Sequence, residues 1–290
     1  MKASMPETFW PDFNDLWDYS DPAATEDKFR ARLAEAAGQE SSDYHLQLKT
    51  QIARTYSLRA MFDAAHAMLD EVQGDLEAGS LAEVRYLLER GRTLNSSKQP
   101  EKAVLLFSAA ATAAQKLGAD FYTVDGLHML GIASPPEARL DWNLKAIEYA
   151  ENSANERARN WLASLYNNTG WTLFDEGRYE EALDLFQRAV PLREAQGNPE
   201  NLRIAHWSVA KVLRVMGRVD EALAIQRSLE AEEKGPGGFT LEEIGECLLA
   251  LGQAAEAQPY FARAYEKLKE IDWVAEDAER MGRLKSLAEA

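Results

Sequence analysis

Between residues 163 and 189 apolar and small residues recur every three or four positions. Tyr166, Gly170 and Leu173 come first, then Gly177 and Arg178, then Tyr179, Ala182, Phe186 and Ala189. That spacing is the period of an α-helix, and the glycine between the two runs marks where one helix stops and the next begins. The same succession returns along the chain. At 212–229 Gly217, Val219 and Ala222 take the places of Gly177, Tyr179 and Ala182. At 247–265 the matching residues are Gly252, Ala257, Phe261 and Ala264, and at 87–110 they are Gly91, Leu94, Ala103, Phe107 and Ala110. Two weaker copies run through Phe62 and Ala65, and through Leu140 and Ala146, the latter with Arg139 where a small residue is expected. Units therefore begin near 46, 84, 120, 163, 203 and 238. Each holds an apolar helix of about 14 residues, a breaker and a second amphipathic helix, which predicts an all-α chain of stacked helix pairs.

Packing explains the spacing. Gly170 and Ala182 fall where the two helices of a hairpin cross, and small side chains there let the backbones approach to about 8–10 Å. Tyr166, Leu173, Tyr179 and Phe186 fill the space around the crossing, and Gly177 ends the first helix in a left-handed conformation. Such a hairpin has apolar surface on both sides and is stable only between neighbours. The ends differ from the middle. Asp21 and Pro22 predict a helix start, with Phe29, Leu33 and Ala36 on one face and Gly38 as the stop. Val274, Ala278, Met281, Leu284 and Leu287 form one stripe on a charged helix, as a solvating cap requires. The organisation expected is an N-terminal aromatic and acidic arm with an extra helix (1–45), about six repeats (46–271) and a capping helix (272–290). The stretch 233–238, "EKGPGG", is the most flexible junction and reads as a turn between repeats.

Composition narrows the function. The 290 residues are 46% hydrophobic, enough for a sizeable core, and carry a formal charge of -16. That charge opposes binding to nucleic acid and to anionic membrane surfaces. Cys247 is the single cysteine, which suits a reducing compartment, and no apolar run at the N-terminus serves as a signal-peptide core. The least polar stretch, 103–115, falls short of the roughly 20 residues a membrane span needs. A soluble cytoplasmic protein is expected. Catalysis is not. His45, His66, His128 and His206 lack the spacing of metal ligands, Cys247 reads as a buried apolar residue and His206 as a packed one, and no phosphate-binding loop, dinucleotide motif or nucleophile elbow occurs. No cofactor or metal is expected.

The residues quoted above resemble the tetratricopeptide repeat, whose pattern W-x2-L-G-x2-Y followed by A-x3-F recurs about every 34 residues. In the best copy Tyr166, Thr169, Gly170 and Leu173 take the first-helix places and Ala182 and Phe186 the second-helix ones. The steps here are longer, as in elongated variants found in bacteria. The resemblance implies a right-handed superhelical solenoid of antiparallel helix pairs whose first helices line a concave groove, with their fifth and ninth positions facing it. Those positions are Thr50 and Arg54, Leu88 and Arg92, Val124 and His128, Asn167 and Trp171, Trp207 and Lys211, and Glu242 and Glu246. Arg85 and Arg214 lie on similar faces, and Asn168 matches an asparagine that many such repeats use on a ligand backbone. A groove basic or aromatic through its fifth unit would attract an acidic or carboxylate-bearing segment, with Trp171 and Trp207 as apolar anchors. The alternative is that Arg54, Arg92 and Lys211 pair with Glu89, Asp125 and Asp175. The pairing of lysine and asparagine by which chaperone-binding members clamp a carboxylate is missing. The arm at 9–19, "FWPDFNDLWDY", either caps the first hairpin or docks into the groove of its own or another copy. Together these features imply a non-catalytic adaptor or assembly factor, or alternatively a peptide-responsive regulator, and less readily an enzyme of unrecognised type.

Overall fold

The computed structural model describes residues 13–36, 42–232 and 237–289; Phe9, Trp10, Gly38 and positions 233–236 of the predicted junction lie outside the described residues. There is no strand among the described residues. The chain divides into two compact units, Met1–Arg159 and Asn160–Ala290.

The described part of unit 1 starts with a 3-10 turn, Phe13–Leu16, and α1, Pro22–Ala36. Asp21 Oδ1 accepts a hydrogen bond from the Ala24 N–H at 2.9 Å and so caps α1, whose Phe29 is fully buried. Three hairpins follow: α2 (Ser42–Leu58) with α3 (Phe62–Gln73), α4 (Leu81–Ser96) with α5 (Pro100–Leu117), and α6 (Asp120–Ala133) with α7 (Pro136–Asn152), closed by the short α8 (Glu156–Arg159). Unit 2 contains α9 (Leu162–Asp175) with α10 (Tyr179–Gln196), α11 (Pro199–Val215) with α12 (Val219–Glu232), and α13 (Gly238–Ala250) with α14 (Ala254–Leu268), then α15 (Asp272–Ala275) and α16 (Ala278–Glu289). First helices begin at or up to four residues ahead of the repeat starts read from the sequence. The C-terminal stripe is split between two helices, with Val274 buried in α15, and with Ala278 exposed at the start of α16 and Leu284 buried within it.

A ring set over a glycine fixes the crossing of three hairpins. A Cβ at Gly91 would come within 2.5 to 3.0 Å of the Phe107 ring, one at Gly170 within 2.7 to 2.9 Å of Phe186, and one at Gly245 within 2.9 to 3.0 Å of Phe261. Residue pairs 16 apart thus form the contact, and Ala103, Ala182 and Ala257, one turn before each ring, are buried beside it. In the fifth hairpin the corresponding positions are Ala210 and Gln226, and Gln226 is fully buried with neither amide atom hydrogen-bonded. The third hairpin keeps the register read from the sequence but not the spacing of 16. Asn143, which follows Arg139 as Phe186 follows Ala182, meets a glycine only twelve residues before it, its Cγ 2.8 Å from where a Gly131 Cβ would lie, and Ala146 is buried as Ala189 is. Only Ser134 and Pro135 join α6 to α7, so the crossing sits one turn nearer the loop, and Arg139, where a small residue is expected, turns outward to donate to the Ser134 carbonyl at 2.9 Å.

The turn inside the other five hairpins is one motif. The third residue donates to a carbonyl five positions back, as in Gln99 to Leu94, Arg178 to Leu173, Arg218 to Leu213 and Gln253 to Leu248, all at 2.9 Å. Its middle residue is left-handed: Gly177, Gly217 and Gly252 at φ of 76, 82 and 76°, but Ala60 and Lys98 at 57 and 62° in the first two hairpins. A side chain at such a φ costs roughly 1–2 kcal/mol, so these two positions carry strain that the glycines avoid.

Candidate functional site

The first helices of unit 1 present few free groups. Thr50, Leu88 and Val124, the fifth positions of their repeats, are at most 1% exposed and belong to the core rather than to a groove wall. His128, expected to face a ligand, is buried as well, and burial lowers its pKa although Asp125 opposes the shift. Arg54 and Arg92 both reach Glu89 Oε1, at 3.2 and 2.7 Å, and Arg92 also holds Asp125 at 2.5 Å. Burial works against the charge on Arg92, yet the Asp125 and Glu89 carboxylates outweigh it and its pKa is raised. The buried Arg85 guanidinium hydrogen-bonds the Tyr122 hydroxyl. These cations are matched within the fold, as the alternative reading of the sequence had it for Arg54 and Arg92.

The described end of the N-terminal arm lies against the same face. Trp17 donates its indole N–H to Gln51 Oε1 at 3.1 Å, packs on Phe29 edge to face at 5.2 Å and stacks on Tyr19 at 4.9 Å. The Arg54 guanidinium sits over both rings, at 5.4 and 5.5 Å.

Unit 2 is different. Trp171 on α9, Trp207 on α11, Phe239 on α13 and Trp273 on α15 form a continuous line of rings, with centroids 5.8, 6.2 and 5.8 Å apart from one helix to the next. The Trp207 indole N–H is taken up by the Phe239 carbonyl at 3.2 Å. Trp273 is 65% exposed and Ile204, one turn before Trp207, is 42% exposed. Between them opens a cavity of about 430 Å³ whose walls are Ile204, Trp207, Phe239, Thr240 and Trp273, with Glu200 and Arg203 at the rim 3.9 Å apart. Asn168 is exposed on α9, and the half-buried Asn167 donates to it at 3.4 Å.

Beside the rings runs a band of ion pairs. Lys211 and Arg214 share Glu243, at 3.2 and 2.7 Å, so the partner of Lys211 is Glu243 and not Asp175. Burial disfavours the Glu243 carboxylate, but its hydrogen bond to Arg214 and the nearby Lys211 charge prevail, and its pKa is lowered. Glu242 and Glu246, read from the sequence as an acidic turn of the groove, are held by Arg280 and Arg283 of α16, with bonds of 3.1 and 2.9 Å. Lys211 lies 4.9 Å from the centre of the Trp207 ring, and Arg280 lies 5.2 Å from that of Phe239.

Of the residues expected from the sequence, the structure therefore brings Trp171, Trp207, Lys211 and Arg214 to one face, with Asn167 and Asn168 on the same first helix as Trp171. Sequence reasoning missed Phe239, Trp273 and Ile204. A usable signal was present, since Trp171, Trp207, Phe239 and Trp273 follow one another at close to one repeat length. No group of three or more His, Cys, Asp or Glu able to hold a metal occurs among the described residues. Cys247 is buried, which pushes its thiol up to about 12 and leaves it a packing group. No helix among the described residues is long and apolar enough to cross a membrane.

An all-α stack of antiparallel helix pairs with a repeated glycine-and-ring crossing is the fold of tetratricopeptide-repeat proteins. Residues 162–195, which are α9 and α10, match the tetratricopeptide repeat family model. The chain resembles the apo form of RapI at 13% identity and a TM-score of 0.69, over 90% of this chain and 76% of that one. It resembles NprR, solved in complex with its cognate peptide NprX, at 15% identity and a TM-score of 0.54, over 94% and 81%. A tetratricopeptide repeat protein from Parabacteroides merdae ATCC 43184 matches at 16% identity and a TM-score of 0.52 over 96% of both chains. At such identities the likeness is one of fold. Protein O-mannosyl-transferase TMTC1 of Homo sapiens is 35% identical over 95 residues, 33% of this chain but only 9% of that protein's length.

Proposed function

We propose that this chain is a non-catalytic binding module that holds a protein or peptide segment against the first-helix face of unit 2, and acts as a cytoplasmic adaptor or assembly factor. The observation that carries the reading is the line of rings ending in the largely exposed Trp273 beside an open apolar pocket. Holding α11, α13 and α15 together does not require that exposure, and a contiguous apolar surface of this kind is what a partner covers. An acidic or carboxylate-ended segment suits the face, because four cations, Lys211, Arg214, Arg280 and Arg283, meet three carboxylates, Glu242, Glu243 and Glu246. The fold shared with NprR, which was solved with a bound peptide, agrees with a peptide ligand. A single buried cysteine is consistent with a reducing cytoplasm. The contacts of Trp17 and Tyr19 with Gln51 and Arg54 favour packing of the N-terminal arm within its own chain over self-association.

Selection of a displayed random peptide library tests the reading. The wild-type protein should enrich a family of sequences that the Trp207→Ala/Trp273→Ala variant does not. Equal enrichment on both proteins, or none on either, would refute binding at this face.

A further inference from the structure

Resting on that reading, we infer that the cavity between Ile204, Trp207, Phe239 and Trp273 is an anchor subsite for one bulky apolar side chain, and that a carboxylate next to it in the partner's chain docks on Lys211. Two observations point to the anchor. The cavity, about 430 Å³, lies in the range of about 300–1000 Å³ typical of ligand pockets and is lined chiefly by aromatic rings and an aliphatic side chain. Trp207 has already spent its N–H on the Phe239 carbonyl, so its ring offers the entering group an apolar contact in place of a hydrogen bond. A large apolar group therefore gains the most by entering.

The neighbouring charge fixes what flanks it. Lys211 follows Trp207 by one helical turn, and its ammonium lies 4.9 Å from that ring's centre. Arg280 and Arg283 each have their own carboxylate, in Glu242 and Glu246, whereas Lys211 and Arg214 divide Glu243 between them. Arg214 grips both Glu243 oxygens, at 2.7 and 3.1 Å, and Lys211 holds one at 3.2 Å, so Lys211 is the cation with the weaker share. An incoming carboxylate completes its pairing without breaking another bond. At the pocket's rim the Glu200 charge is matched by Arg203, so it does not repel that carboxylate in full. The recognised unit is thus an aromatic or large aliphatic residue with an acidic neighbour.

Fluorescence anisotropy tests the assignment, with a fluorescein-labelled decapeptide carrying one tryptophan between two aspartates and neutral polar residues elsewhere. Replacing the peptide's tryptophan by serine should weaken binding by about tenfold or more, as loss of an anchor does. Replacing its aspartates by asparagine should weaken it several-fold and abolish most of the salt dependence. On the protein, Trp273→Ala and Ile204→Glu each remove exposed wall without opening the core, and should cost about tenfold at unchanged helicity. Lys211→Gln should weaken the aspartate peptide several-fold and leave the asparagine peptide unaffected. If Trp273→Ala and Ile204→Glu both leave affinity within twofold, the pocket is not the anchor. Should the displayed library yield ligands lacking an apolar–acidic pair while this decapeptide does not bind, the anchor assignment falls and the broader binding reading survives.

Discussion

Gln226 occupies the position at which three other hairpins carry a phenylalanine. It is fully buried, and neither Oε1 nor Nε2 has a hydrogen-bond partner. An amide desolvated in this way costs about 1–3 kcal/mol relative to one that is paired. Gln226→Leu, similar in length and free of polar atoms, should recover about that much. Because a repeat array is stabilised unit by unit, the gain belongs in the local opening of α11 and α12 more than in a single melting temperature. Native-state hydrogen exchange should show slower opening of the α12 amides by about 5- to 150-fold, the same energy expressed as an equilibrium constant. Gln226→Phe alone should behave otherwise. In the phenylalanine hairpins the ring lies where a Cβ on the first helix would intrude, and here that helix carries Ala210. Gln226→Phe should therefore be strained, and adding Ala210→Gly should relieve it, with a coupling energy of about 1 kcal/mol or more between the two changes. A loss of protection in Gln226→Leu, or additive effects in the Ala210 and Gln226 pair, would refute the equivalence of this crossing with the others.

Lys98→Gly and Ala60→Gly relieve left-handed strain in the first two hairpin turns, and each should stabilise unit 1 by about 0.5–1 kcal/mol once the entropy of glycine is subtracted, whereas Gly177→Ala should destabilise unit 2 by a similar amount; urea denaturation measures all three. Ala182→Leu places bulk at a fully buried site one turn before Phe186 and should cost about 1–3 kcal/mol, so unchanged stability would contradict the packing described. The Glu243 carboxyl is held below its ordinary value of 4.5, so its contribution is complete above that pH and is lost as pH falls through the lower folded value; acid denaturation of Glu243→Gln should be flatter than wild type in that window, and superimposable curves would rule out the assignment.

The fold could be read because the residues that enforce it repeat. Gly170 with Phe186 and Gly91 with Phe107 recur at one spacing, and a period is visible in a sequence even when its geometry is not. Where the spacing changes, the contact was not legible. Between α6 and α7 one turn is missing from the crossing, so Asn143 meets Gly131 twelve residues before it in place of a glycine sixteen before. The candidate site was legible only in part. The sequence allows Arg54 and Arg92 either to line a groove or to pair with Glu89 and Asp125 on the next first helix, and the structure pairs them; for Lys211 the carboxylate it suggests is Asp175, whereas Glu243, 32 residues away on the next first helix, holds it. Trp171 and Trp207 were legible as neighbouring aromatic positions of successive first helices. That their line continues to Phe239 and Trp273 depends on α15, which the sequence merged into one capping helix with α16.

The two units illustrate opposite uses of the same positions. In unit 1 Arg54, Glu89, Arg92 and Asp125 link three successive first helices, and such buried charges add little net stability while penalising any stacking that separates them. Unit 2 has a similar band in Lys211, Arg214 and Glu243, but next to it an apolar line that the described residues of the unit do not cover fully. Charge on this face is nearly neutralised while apolar area is not, so a ligand gains chiefly by covering rings. Affinity should then fall by less than about tenfold between 0.05 and 0.5 M salt, the response of one screened charge contact and not of several. A loss of a hundredfold or more over that range would mean that the ion pairs open to meet the ligand, and that Trp207 and Trp273 are bystanders.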